Sequence, residues 1–204
     1  MVEALAALGR TMGFSLAAGV NLYATVFILG LASRYHWVEL PDSFKAFDHP
    51  WIIGAAGVLY VVEFVADKVP WVDSIWDSVH TLIRPVGGAL IAVASMGDHT
   101  PVVTGLIALL GGTVAAGSHA TKAGTRVAAN ASPEPFSNWF LSLGEDAFVI
   151  GLSFIALKFP LLALGVSVVI VLLIIFAMRS IWKWLRHRRS GLEWRGQPNP
   201  EGRE

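Results

Sequence analysis

Thr11–Ser33, TMGFSLAAGVNLYATVFILGLAS, is a run of 23 residues without a charge, bounded by Arg10 and Arg34. Wound as a helix it is roughly 34 Å long, enough to cross a hydrocarbon core of about 30 Å. The rest of the chain agrees with a membrane setting. Of 204 residues, 54 % are hydrophobic and only 15 % charged, with a mean hydropathy of +0.60. Soluble domains carry about 25 % charge and need it to stay dispersed. A disordered chain is excluded too, being poor in apolar residues and rich in charge. There is no cysteine, which excludes a disulfide framework, thiolate catalysis and Cys-ligated zinc or iron–sulfur sites. Net charge is zero, so nothing points to nucleic acid as a partner.

Two further charge-free runs, Phe159–Met178 and Thr100–Ser118, are long enough to span. Trp51–Ala66 is interrupted by Glu63. Phe136–Leu157 is interrupted by Asn138 and by Glu145-Asp146. Val72–Met96 is charged in its first half and apolar after Arg84-Pro85. The expectation is an all-α integral membrane protein with about six transmembrane segments, some of them broken or re-entrant, over residues 1–187. A basic tail, 188–204, is expected to be disordered. The first apolar run is too long for a signal peptide and lacks a cleavage pattern. With six spans both chain ends share a side. That side would hold 12 of the 15 Lys and Arg, among them Lys68, Arg84, Lys122, Arg126 and seven in the tail after Met178. By the positive-inside rule both termini are expected in the cytoplasm of a cell with an inner (plasma) membrane.

Gly13-Phe14-Ser15-Leu16-Ala17-Ala18-Gly19-Val20-Asn21 and Gly111-Gly112-Thr113-Val114-Ala115-Ala116-Gly117-Ser118-His119 read alike. So do Ala66-Asp67-Lys68-Val69-Pro70 and Ala156-Leu157-Lys158-Phe159-Pro160. Two anchors in one order predict a repeat, about 3–97 and about 98–187. Three spans per half make it a 3+3 inverted repeat. Gly9, Gly13 and Ala17, like Gly112, Ala116, Ala120, Gly124 and Ala128, form small-residue faces on which the first and fourth segments are expected to cross. A homodimer contact is the rival use of such faces.

A charge inside the hydrocarbon costs a few kcal/mol or more and needs a reason. Asp73, Asp77, His80 and Arg84 are spaced four, three and four, which places them on one helical face, with Pro85 and Gly87 expected as breakers. That helix lies on the surface or dips inward. Glu63 falls roughly 18 Å along its span, and Asn21 and Glu145 roughly 15 Å along theirs. Asp67, His119, Lys122 and Asp146 lie nearby in the same half of the bundle. A desolvated carboxylate takes a proton or finds a cation. Asn21, Glu63, Asp67, Asp73, Asp77, His80, His119, Glu145 and Asp146 are therefore the candidate ion or substrate pathway. Asp77 and His80 are candidate metal ligands, without a complete metal motif. Internal pairing competes: Glu63 or Asp67 with Lys68, Asp77 with Arg84, and Glu145 with Lys122 or His119. Arg84, Lys122 and Arg126 suit an anion or a lipid head group, or simple positive-inside anchoring. Gly19 and Gly117 are expected helix breaks, and Ser132 a cap ahead of Pro133 and Glu134.

The stretch Gly13–Asn21, Val69-Pro70-Trp71-Val72-Asp73, His80–Pro85 and Ser132–Trp139 together resemble the domain-of-unknown-function family 4126 of bacterial membrane proteins. The resemblance implies a multi-pass bacterial membrane protein and brings no activity or substrate. The three-plus-three plan is also similar to that of lysine exporters, in architecture only. The Glu-x-Gly-Asp-Lys motif of cation exchangers is absent, since Glu63–Lys68 reads Glu-Phe-Val-Ala-Asp-Lys.

These observations lead to a small transporter of an ion or solute, linked to protons or cations through carboxylates. The alternatives are a lipid flippase or scramblase, or a non-catalytic assembly factor. No complete signature of a membrane phosphatase, phospholipid synthase or intramembrane protease is present, so no enzyme activity and no cofactor is expected. The expected partners are membrane lipids and the small solute itself.

Overall fold

The structure, a computed structural model, describes residues 1–130 and 135–195, and among them every regular element is a helix. In order these are α1 (Val2–Val20), α2 (Leu22–Arg34), a short 3₁₀ turn η1 (Asp42–Phe47), α3 (Pro50–Ala66), α4 (Pro70–Met96), α5 (Pro101–Asn130), α6 (Pro135–Lys158) and α7 (Pro160–Arg195). Proline opens each helix from α3 onward, where its fixed φ suits the first turn and its missing N–H costs nothing. Among the described residues four stretches are long and apolar enough to cross a membrane: Trp71–Met96, Pro101–Asn130, Asn138–Lys158 and Pro160–Lys183. Leu22–Arg34 and Pro50–Ala66 are apolar but shorter.

The 23-residue opening run is not one crossing. α1 stops at Val20, Asn21 takes an extended conformation (φ −146°, ψ 99°), and α2 starts at once. Asn21 serves both sides of the break. Its N–H donates to the Ala17 carbonyl at 2.9 Å, and its side-chain oxygen accepts from Ala24 N–H at 2.9 Å as the cap of α2. The chain then folds back. Phe44 of η1 stacks edge-on to Phe14 of α1 at 6.1 Å, Ser43 donates to the Ala94 carbonyl at 2.6 Å, and Lys158 donates to the Trp37 carbonyl at 2.7 Å. The end of α2 thus returns to the level where α1 began. α1 and α2 are a hairpin with Asn21 at its tip.

The other directions follow from which residues meet. α3 runs back along α2, with Gly30 against Ile53 and Gly57 against Phe27. α4 runs antiparallel to α5, with Ala92 against Gly111 at one end and Asp73 beside Asn130 at the other. α4 is also antiparallel to α1, from Ser15 beside Gly88 to the Gly19 carbonyl beside Arg84. α1 and α5 therefore point the same way. The two similar nonapeptides do lie side by side: Ser118 donates to the Leu16 carbonyl at 2.8 Å, and a Cβ on Gly19 would collide with the Ala115 carbonyl oxygen. Their parallel course is not the opposed course that an inverted pair requires. One end of this bundle, the η1 end, gathers the N-terminal half of α1, η1 and the α6–α7 turn. The other, the Lys68 end, gathers the α3–α4 turn and the end of α5.

The apolar core joins Phe14, Ala18, Leu22, Leu29, Phe44, Ile91, Ala156 and Ala163. Several expected breaks and faces are corrected. α4 is continuous through Pro85 and Gly87, and α5 through Gly117. An interrupted ladder in lipid leaves backbone groups unpaired, so the helix is kept. Gly87 serves close packing instead, with Leu22 seated on it. Gly19 is still helical, and the break comes two residues later at Asn21. α5 buries Gly111, Ala115, Ser118, Lys122 and Arg126, a face one step away from the expected small-residue stripe, whose Gly124 faces open space. The Gly9–Gly13 face of α1 meets Pro160, Ala156 and Ala163 of α6 and α7 rather than α5.

Residues 1–171 form one compact unit and the remainder of the chain a second. In the second, α7 runs on to Arg195, through part of the tail expected to be disordered, with Leu172, Phe176 and Trp182 exposed and Arg186 over the Trp182 ring at 5.9 Å. The rest of that tail, 196–204, and the cap expected at Ser132 with Pro133 and Glu134 lie outside the described residues.

Candidate functional site

Around the hairpin tip the bundle buries a network of charge. Arg84 of α4 is fully buried at 0 % exposure. It donates to Glu63 of α3 at 2.7 Å and to His119 Nδ1 of α5 at 2.6 Å, pairs with Asp77 at 3.1 Å, and reaches the Gly19 carbonyl at 3.4 Å. Lys122 pairs with Asp67 at 3.0 Å, Glu63 at 3.4 Å and Glu145 at 3.5 Å, and donates to the Val20 carbonyl at 3.3 Å. Arg126 grips Glu145 with two parallel bonds, 3.0 and 2.5 Å, and donates to the Asp67 carboxylate and carbonyl at 3.2 and 2.8 Å. This forked geometry fixes a carboxylate as a lysine cannot. The last carbonyls of α1, at Gly19 and Val20, carry the negative end of that helix, so two cations there are well placed.

The sequence explains why these groups converge. On α5 the period of three to four puts Ser118, His119, Lys122 and Arg126 on the buried face. On α4 the same period places Asp73, Asp77, His80 and Arg84 together, all at most 5 % exposed. α3 delivers Glu63 on its last turn, with Asp67 at its end.

Charge does not balance in this network. Six carboxylates (Glu63, Asp67, Asp73, Asp77, Glu145 and Asp146) face three cations, Arg84, Lys122 and Arg126. Lys68 sits at the margin, its ammonium 3.0 Å from the Phe64 ring centre and bonded to the Phe64 carbonyl and Ser142, without an ion pair among the described residues. Asp73 and Asp146 likewise make no ion pair among the described residues. Each accepts from a neutral amide instead: Asp73 from Asn130 at 3.3 Å and Asp146 from Asn21 at 3.4 Å. Four carboxylates keep one buried oxygen with no hydrogen-bond donor among the described residues, namely Glu63 Oε2, Asp67 Oδ1, Asp73 Oδ1 and Asp146 Oδ2, and Asp77 has neither oxygen hydrogen-bonded, its Oδ1 held only by the ion pair with Arg84. Buried uncompensated charge is expensive, so the surplus asks for protons or a bound cation.

The pathway candidates Asn21, Glu63, Asp67, Asp73, Asp77, His80, His119, Glu145 and Asp146 are thus brought into one region. The expected pairs Asp77–Arg84 and Glu145–Lys122 are present, whereas Glu63 and Asp67 pair with Arg84, Lys122 and Arg126 rather than with Lys68. Arg84, Lys122 and Arg126, the candidate head-group residues, face these acids and are 0–4 % exposed. Asp77 and His80, the candidate metal ligands, lie together on the buried face of α4. Both His80 ring nitrogens are engaged, Nδ1–H donating to the Trp76 carbonyl at 2.7 Å and Nε2 accepting from Tyr23 O–H at 2.9 Å. Among the described residues no three His, Asp or Glu side chains are placed to hold a metal ion. His119 is held at both ring nitrogens too. It accepts from Arg84 at Nδ1, and its Nε2–H points to Thr81 Oγ1 at 3.2 Å. Tyr23, Thr81, Ser142 and Asn130 were not singled out from the sequence. Tyr23 carried a signal, being two residues beyond Asn21 in an otherwise apolar run; the other three are ordinary helix residues until the partner helix is in place.

The family described as a domain of unknown function, DUF4126, matches residues 8–180, and the chain belongs to it. No curated protein and no solved structure matches the chain.

Proposed function

We propose that this protein is a small membrane transporter of protons or another cation, with the buried cluster at the hairpin tip as its transit site. The observation that carries this reading is the surplus of buried acids over cations, with oxygens left unpartnered. A network built only to tie helices together gains nothing from three extra carboxylates, each of which costs desolvation. A site that alternately holds and releases positive charge needs them.

Geometry also ranks the acids. Glu63 and Glu145 are held by arginine, so their charge is already matched. Among the described residues Asp146 and Asp73 are hydrogen-bonded by amides and make no ion pair, and they are the groups that exchange a proton or cation. Asn21 joins the hairpin tip to Asp146, so loading of Asp146 is felt by α1 and α2. Interrupted helices whose ends point into a polar site are the recurring device of secondary transporters.

The hairpin alters the topology that the sequence implied. On this reading α1 and α2 form a re-entrant hairpin, and if the shorter α3 crosses along with α4, α5, α6 and α7 the number of crossings is odd. The basic excess after Met178 favours the cytoplasmic side for that end of the chain.

The test is current from reconstituted protein on a solid-supported membrane, with steps of pH and then of monovalent and divalent cations. The expected result is a pH- or cation-driven current that is lost in Asp146→Asn and Asp73→Asn variants that remain folded. Unchanged current in both variants removes the proposed site. Silence of the parent protein to every ion removes the transport reading.

A further inference from the structure

Beyond the charge cluster, two hydroxyls in the unit formed by residues 1–171 are buried for no structural reason. Ser153 of α6 and Ser167 of α7 are both 0 % exposed, and neither Oγ has a hydrogen-bond partner among the described residues. Other helical hydroxyls in this protein do not behave so. Thr11, Ser95, Thr121 and Thr125 each donate to the carbonyl one turn back, at 2.8–2.9 Å. Ser15 and Ser118 donate across to neighbouring helices. Leaving a buried hydroxyl unmatched costs about 1–3 kcal/mol, which alanine at either position avoids.

Their placement gives them a use. Ser142, Asp146, Val149, Ser153 and Ala156 recur every three or four residues, one continuous buried stripe of α6. That stripe runs antiparallel to α1, from Asn21 beside Asp146 to Gly13 beside Leu152 and Ala156. Ser153 therefore lies two turns, roughly 10 Å, from Asp146 toward the η1 end. α7 enters the same seam, with Pro160 on Gly9 and Ala163 on Gly13. Ser167 is one turn past Ala163, at the level between Gly13 and the hairpin tip. Beside Val149 and Leu152, the seam is lined by small residues, Gly13, Ala17, Ala156 and Ala163.

We infer that the seam between α1, α6 and the first turns of α7 is the route by which protons reach the cluster from the η1 end, with the Ser153 and Ser167 hydroxyls as its relay groups. This rests on the transport reading and names its carried species. A hydroxyl can accept one proton while giving up another, and a seam of small residues admits water when the hairpin shifts. A bare divalent ion needs about six oxygen ligands, and two neutral hydroxyls among glycine and alanine do not offer them. In the conformation described the seam is closed.

The protein has no cysteine, so a single introduced thiol is unique in it. Ser153→Cys and Ser167→Cys, reconstituted in liposomes, are treated with a small water-soluble methanethiosulfonate. Ile150→Cys, on the exposed side of α6, is the control. Proton flux is followed in parallel with an entrapped pH dye. Both seam cysteines should be modified faster than the control, and their modification should block proton flux. The Ser153→Ala/Ser167→Ala double variant should lose about tenfold in flux, one hydrogen-bonded relay step, without a lower unfolding midpoint. Unreactive seam cysteines, or undiminished flux in the double variant, in a protein that still moves protons overturn the route and leave the transport reading standing. Reactive cysteines in a protein that moves no protons overturn the transport reading, and the route with it.

Discussion

Arg84→Gln and Glu63→Gln break the same 2.7 Å ion pair, yet they should not cost the same. Both side chains are fully buried. Removing Arg84 strips Glu63 of its nearest cation, leaves Asp77 without its 3.1 Å partner, and removes the donor to His119 and to the Gly19 carbonyl. The acid surplus rises by one. Loss of one partner from a buried pair costs about 3–5 kcal/mol, and Arg84→Gln belongs at the upper end because Asp77 loses its cation while Glu63 keeps only Lys122 at 3.4 Å. Removing the Glu63 charge leaves Arg84 with Asp77, and Lys122 with Asp67 at 3.0 Å and Glu145 at 3.5 Å. The surplus falls by one, and glutamine can still accept from Arg84. The cost should be about 1–2 kcal/mol, that of a weakened hydrogen bond to a charge. The assay is equilibrium unfolding of the purified protein in mixed detergent micelles, monitored by tryptophan fluorescence. A difference of about 2–3 kcal/mol, with Arg84→Gln the less stable, is the expected outcome. Equal midpoints, or Glu63→Gln the less stable, would mean that the cluster is not acid-rich in the folded protein and would refute the reasoning.

Gly19→Ala places a Cβ against the Ala115 carbonyl and should destabilise by about 1–3 kcal/mol, while Gly151→Ala, with open space around it, should be neutral or stabilising; thermal melts in detergent compare them. Asn21→Ala removes the α2 cap and the donor to Asp146, with an expected loss of about 1–2 kcal/mol and faster hydrogen exchange at Ala24. Beside the Lys45 ammonium, 2.7 Å away, the Asp42 carboxyl titrates below its usual range. The small stabilisation from this pair is present above the unfolded-state pKa and lost as pH falls through the lowered folded value. Because both groups are exposed, Asp42→Asn should leave the neutral-pH melting midpoint unchanged.

Much of this arrangement can be read from residues alone. Charge-poor runs fix the membrane class, and a proline at the start of each helix from α3 onward marks its boundary. The single face of Asp73, Asp77, His80 and Arg84 follows from spacing, as does the Asp77–Arg84 pair. The hairpin does not. An asparagine in a 23-residue uncharged run looks the same whether it caps a reversed helix or sits inside a straight one, and only its φ and ψ and the return of Phe44 to Phe14 decide. The depth of Lys122 and Arg126 was hidden too. Near the end of an apolar span they resemble interfacial anchors, and the partner that draws them inward, Asp67, lies 55 and 59 positions away in the chain. The Pro85 break failed for a related reason, since in lipid the cost of unpaired backbone outweighs the local tendency to kink.

The most direct measurement is infrared difference spectroscopy of the membrane-reconstituted protein between two pH values, reading the carbonyl stretch of protonated carboxylic acids. A titrating band from buried carboxyls should be present in the parent protein and should shrink in Asp146→Asn and again in the double variant with Asp73→Asn. Absence of any protonated-carboxyl band across the pH range, without a bound cation found by elemental analysis, would contradict the claim that the buried acids at the hairpin tip hold exchangeable positive charge.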